Sequence, residues 1–154
     1  MTTNIGADTS SVRIKEWQTQ ARQFINTQKY IEVLPAAPEE NPWAPASLNR
    51  MEVAFLESWG NRPNDLSSEM RTYYEWFLGE GLVRLFGGTW VYLPGHLINA
   101  KETEGGYGVQ YDGAEHIDVV TSLLPMALDV SQGSWWSATF RITAQQLERD
   151  YPDP

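Results

Sequence analysis

The densest group of ligand-type side chains is Glu115-His116-x-Asp118, three titratable residues within four positions. At the start of a helix, Glu115 and Asp118 would share a face while His116 projects elsewhere, because helical neighbours lie three and four residues apart. Two carboxylates alone make a weak metal site. Acidic residues also belong in a first helical turn, where they meet the positive end of the dipole. The structural reading is favoured, and no metal or cofactor is expected. A second carboxylate, Glu80, stands between Gly79 and Gly81. Each glycine costs about 1 kcal/mol of helix propensity relative to alanine, a cost that close backbone packing usually offsets. Glu80 can pair with Arg84 four residues on, or with Arg71, and a salt bridge is favoured over catalysis.

Little else in the chain suggests a reaction. It has no cysteine, so thiolate nucleophiles, disulfides and cysteine-ligated zinc are excluded together. The two histidines are His96 and His116, and no G-x-S-x-G accompanies them. Gly79-Glu80-Gly81 and Gly87-Gly88 do not make a phosphate-binding G-x-G-x-x-G, and Glu80 would repel a phosphate. Glu75 with Glu80, and Glu102 with Glu104, are possible acid–base pairs that no spacing rule selects.

Charge and aromatic content point instead to binding. The 20 acidic and 11 basic side chains leave a formal charge of −9, which disfavours nucleic acid and either steers a basic protein partner or, with equal weight, serves only solubility. Seven Trp and seven Tyr is a high count, for Trp especially; most of the rings are expected to fill the core, and those left exposed are of the types that anchor protein interfaces. In Trp135–Trp136 the two rings must face different ways. Expected partner contacts are Glu39, Glu40 and Trp43 in a Pro-rich stretch, Glu102 and Glu104 in a Gly-rich loop, and Trp135. For Trp43 a core peg is favoured over an exposed contact. No apolar run of about 18 residues exists to span a membrane. The first residues lack the basic and apolar regions of a secretory leader, so the expected location is the cytoplasm.

These residues need elements to position them. Residues 1–10 are expected to fray, with one domain from 11 to 154. Ile14, Trp17, Ala21, Phe24 and Ile25 predict a helix from about Ser11 to Lys29. Tyr30 to Leu34 is β-prone, and the four prolines of Pro35 to Pro45 impose an extended connection. A helix capped by Ser47 carries Leu48, Met51, Phe55 and Trp59 and stops at Gly60. A longer one, capped by Asp65, carries Leu66, Met70, Tyr73 or Tyr74, Phe77, Leu78, Leu82 and Leu85, and stops at Gly87–Gly88. Thr89–Leu93 and Tyr107–Tyr111 read as strands, with a weaker one at His96–Ala100, and Asp112–Gly113 as a turn. Ile117 to Val130 has helical spacing, with Pro125 kinking or restarting it. Ser134 to Tyr151 reads as one helix rather than strand plus helix, although Thr143 to Gln146 resembles a capping box. The fold class is α+β: N-terminal helices and a long central helix on a small antiparallel sheet, followed by C-terminal helices.

From Phe77 to Trp90 the chain reads FLGEGLVRLFGGTW. It resembles a motif of small bacterial α+β domains of unknown function, in which Gly79, Glu80, Arg84, Gly87, Gly88 and Trp90 match. The likeness extends from Tyr73 to Tyr111, and some such domains are similar to immunity proteins encoded beside secreted toxins. The resemblance implies no catalytic residue and an immunity protein or antitoxin that covers the active site of a basic toxin. The alternative is a small-molecule-binding protein or enzyme with a pocket around Glu80, Arg84 and His116.

Overall fold

The computed structural model describes residues 11–95 and 105–152. The expectations for the frayed N-terminus, for a strand at 96–100, and for Glu102 and Glu104 lie outside the described residues. Among the described residues, six α-helices and a three-stranded antiparallel sheet make the expected α+β fold. The first helix, α1 (Val12–Asn26), is capped by Ser11, whose Oγ accepts from the Ile14 N–H at 3.4 Å. It ends before Lys29 because Gln28 takes a left-handed φ of 58°. That break restarts the chain as α2 (Lys29–Val33), so the stretch expected to be a strand is helical. The four-residue spacing of Tyr30 and Leu34, both buried in the core, outweighs its β propensity.

The next helix, α3 (Pro45–Trp59), does not begin at Ser47. Ala44 holds the cap position and Pro45 the first turn, where a missing N–H costs nothing. Ser47 is buried inside the helix instead. Gly60 ends α3 in a right-handed conformation (φ −58°) rather than as a left-handed stop. The long central helix is α4 (Ser68–Phe86). Its cap is Ser67, whose Oγ accepts from the Met70 N–H at 3.1 Å, while Asp65 lies in the short 3-10 turn Pro63–Asp65. Gly87 terminates α4 with φ 69° and donates its N–H to the Val83 carbonyl at 2.9 Å, as expected of the Gly-Gly stop. Leu85, expected in the buried stripe, is exposed.

The strands are β1 (Thr89–Leu93), β2 (Gly106–Gln110) and β3 (Ile117–Val119), paired in that order. Thr89 faces Gln110 and Leu93 faces Gly106 across the first pair, and Gln110 faces Ile117 across the second. The segment read as one helix from Ile117 therefore begins as a strand, because backbone pairing with β2 overrides a spacing that also suits a helix. A 3-10 turn (Val120–Ser122) leads into α5 (Leu123–Val130), with Pro125 in its first turn. The tail forms the single helix α6 (Trp135–Gln146), shorter than Ser134 to Tyr151 but without a strand.

Helix α4 is the centre of the core. Tyr74, Phe77, Leu78, Leu82 and Phe86 on it are buried against Ile14, Ala21 and Phe24 of α1, Leu48, Met51 and Phe55 of α3, and Trp136 and Phe140 of α6. Each such large apolar side chain contributes about 1.5–3 kcal/mol on leaving water. No helix among the described residues is long and apolar enough to cross a membrane.

One core tie joins α3 to α6. The fully buried Glu52 accepts the backbone N–H of Trp136 at 2.7 Å and that of Trp135 at 3.0 Å. These are donors that the start of a helix leaves without intrahelical partners. Burial pushes the Glu52 carboxyl above its ordinary range, and the two N–H bonds hold it down in part. Glu52→Gln retains one acceptor and is expected to lower stability by about 1 kcal/mol in urea unfolding, with no change of fold.

Candidate partner-binding site

The Gly79-Glu80-Gly81 segment explains how two walls of a surface groove are held. Glu80 is 3% exposed, and both its oxygens are used. Oε1 accepts from Arg84 Nε at 3.1 Å, and Oε2 accepts from the Trp90 indole N–H at 2.8 Å. A side chain at Gly79 would strike the Trp90 ring, and one at Gly81 would strike the Trp43 ring. Two glycines thus let two indoles close on α4 on either side of one carboxylate. Arg84, expected as the partner of Glu80, continues outward and donates through Nη2 to the Asn26 side-chain oxygen at 2.9 Å. A chain of hydrogen bonds runs from buried Trp90 through Glu80 and Arg84 to the corner between α1 and α2.

Trp43 anchors the opposite wall. Its indole N–H donates to the Phe77 carbonyl at 2.9 Å, its ring lies 5.6 Å from Phe77, and its own carbonyl accepts from the Tyr151 hydroxyl at 2.7 Å. Trp43 is accordingly a half-buried peg that fixes the Pro-rich segment against α4.

Between the corner and that segment lies an open groove of about 510 Å³ lined by Thr27, Gln28, Ile31, Glu32, Glu39 and Glu40. Glu32, Glu39 and Glu40 are exposed, so among the described residues the lining carries three carboxylates and no cation. Lys29, beside it in sequence, holds its ammonium 5.7 Å from the centre of the Tyr73 ring. Gln28, Ala36 and Asn41 take positive φ values of 58°, 63° and 48° in or next to these walls. Left-handed backbone at non-glycine residues costs energy and persists only where the surroundings enforce it. The walls are shaped rather than slack.

A second hollow, of about 400 Å³, lies between Gly87, the Tyr111–Ala114 turn and Gln146–Arg149, and its charges are of both signs. Below it is a buried cluster around Asp118. Asp118 Oδ2 accepts from the Tyr111 and Thr143 hydroxyls, both at 2.6 Å, and Oδ1 lies 3.0 Å from His116 Nε2. His116 Nε2 is also 3.1 Å from Thr143 Oγ1. The helical geometry expected for Glu115 and Asp118 does not apply. On extended chain, residues two apart share a face, which brings together His116 and Asp118. Burial and the Asp118 charge push the Tyr111 phenol far above its ordinary range. Thr143 is fully buried and donates its hydroxyl to Asp118, so it is not open to a substrate. The cluster ties β2, β3 and α6 together. Among the described residues, no three His, Asp or Glu side chains are grouped to hold a metal.

The structure brings Glu39 and Glu40 together on the groove and sets Trp43 behind it. Trp135 is elsewhere, half-buried at the start of α6. Glu80 and Arg84 meet as a pair, but His116 belongs to the Asp118 cluster, so these three residues share no pocket. Glu32 was missed because its stretch reads as a strand; as a helix, the four-residue interval to Gln28 puts both on the groove. No protein-family profile matches the chain, and no curated protein or solved structure is significantly similar to it.

Proposed function

We propose that this protein is a binding module for a basic protein, an immunity protein or antitoxin that acts in the cytoplasm by covering the active site of a toxin. The observation that carries this reading is the open groove with Glu32, Glu39 and Glu40 and, among the described residues, no cation in its lining. The overall charge of −9 extends the same field beyond the groove and would speed encounter with a positive surface. The motif resemblance to domains encoded beside toxins points to the same class of partner. Against a small-molecule enzyme stands the packing of Glu80, whose oxygens are occupied by Arg84 and Trp90 within the core.

The mechanism is steric. Carboxylates on the groove pair with Lys or Arg side chains of the partner, and the rigid walls hold those pairs in register. Charge sets the rate of encounter, and packed contacts set the lifetime of the complex. Co-expression with the product of the adjacent gene tests the reading. A complex that survives co-purification, and inhibition of that product at micromolar concentration, are the expected results. A product that is neither retained nor inhibited would refute it.

A further inference from the structure

Glu75 has no role in the groove or in the Asp118 cluster. It lies on the inner face of α4, 6% exposed, and no hydrogen bond to it is found among the described residues. A carboxyl so deeply placed is costly to ionise, because little water reaches it and no donor among the described residues makes up the lost hydration. Among the described residues, titratable and charged groups face it from α4 and from β2. Arg71 approaches from the preceding turn of α4, and Tyr107 from β2, whose phenol is pushed up chiefly by burial, with the Glu75 charge a smaller contribution. Behind Tyr107 stand Tyr92 of β1 and Arg13 of α1, with the Arg13 guanidinium 4.3 Å from the centre of the Tyr92 ring.

The layer beside Glu75 is aromatic. Trp17 stacks on Tyr107 with centroids 3.6 Å apart, and meets Trp76 and Trp90 edge-on at 5.8 and 5.7 Å. Two of its indole N–H groups, on Trp17 and Trp76, are buried without an acceptor among the described residues. Those donors gain water when the layer opens, so their closed state is held by packing alone. We propose that Glu75 is a proton-operated latch: protonated, it lets α1 and β2 close on α4, and ionised, it opens that aromatic layer to water.

The direction follows from linkage. Burial raises the carboxyl from its ordinary 4.5 to about 7, with Arg71 holding it down in part. The closed state therefore keeps a proton that the open state gives up. Opening is favoured progressively as pH rises from about 4.5 to about 7, and is unchanged beyond that. This inference is independent of the partner-binding reading.

Amide hydrogen exchange, corrected for the intrinsic pH dependence of the chemistry, tests it on the full chain. In the wild-type protein, protection of α1 and β2 amides is expected to fall by up to about tenfold per pH unit up to pH 7 and then level off. Glu75→Gln is expected to hold the low-pH protection at every pH. Arg71→Gln removes the charge that favours ionisation, so its plateau is expected at higher pH. Equal pH dependence in wild type and Glu75→Gln would overturn the latch, as would an equal loss of protection in α3 and α6, which would mean global rather than local opening. The carbon-13 titration of the Glu75 carboxyl in the wild-type protein requires no variant. A midpoint near 7 supports the latch, and one near 4.5 overturns it.

Discussion

Gly79→Val is expected to destabilise the protein by about 3–5 kcal/mol, enough to leave a marginal fold largely unfolded at 37 °C. A branched side chain at 79 would occupy the space of the Trp90 six-membered ring. That ring is 2% exposed and is held at its nitrogen by Glu80, so it cannot swing away into solvent. Either α4 and β1 separate, which opens the core, or Trp90 turns and deprives Glu80 of a hydrogen bond inside it. Both outcomes combine overpacking with a broken buried polar contact, and the penalties add. Gly81→Val is expected to cost less. Trp43 is only half-buried and can yield, at the expense of its bond to Phe77 and of the groove wall. Urea unfolding of the two variants measures the order, and an equal loss would contradict the difference in burial.

Glu80→Ala is the second large effect, at about 3 kcal/mol. It leaves the Trp90 N–H without an acceptor in the core and frees Arg84 from its ion pair. The Arg84 side chain is 34% exposed, so solvent compensates part of its lost pairing and the estimate stays at the lower end for a broken buried pair. Glu80→Gln is expected to cost only about 1 kcal/mol, because an amide oxygen can still accept from the indole. The ratio between these two losses separates a structural carboxylate from one kept for its charge. A Gln variant as unstable as the Ala variant would mean that the charge itself holds the site.

Much of this architecture is legible in the sequence, and the unread parts have physical causes. The Glu80–Arg84 pair follows from four-residue spacing, and the Gly87 stop from the need for positive φ. Trp90 as the second partner is not readable, because only the chain reversal at Gly87–Gly88 brings β1 back along α4. The same applies to Glu52, whose backbone partners lie 83 and 84 residues away. The start of α4 is unreadable where good caps compete, and that of α3 because Pro45 sets the first turn behind Ala44, which has no capping side chain. Ser67 outranks Asp65 because the Pro63–Asp65 turn comes first. Ile117 to Leu124 satisfies both periods, and pairing with β2 decides between them. The groove was half visible: Glu39 and Glu40 stand in a stretch that prolines keep extended, whereas Glu32 needed the break at Gln28.

On the proposed function, Glu80 and its glycines support the groove, and Glu32, Glu39 and Glu40 do the binding. Association kinetics with the product of the adjacent gene, measured across ionic strengths for wild type and Glu32→Gln/Glu39→Gln/Glu40→Gln, test this most directly. The three carboxylates are exposed, so their neutralisation is expected to leave the melting temperature within a few degrees of wild type. The association rate of the wild type is expected to fall steeply with salt, and that of the triple variant to be at least about tenfold lower at low salt, with a shallower salt slope. Equal rates and equal salt slopes for the two proteins would contradict the account.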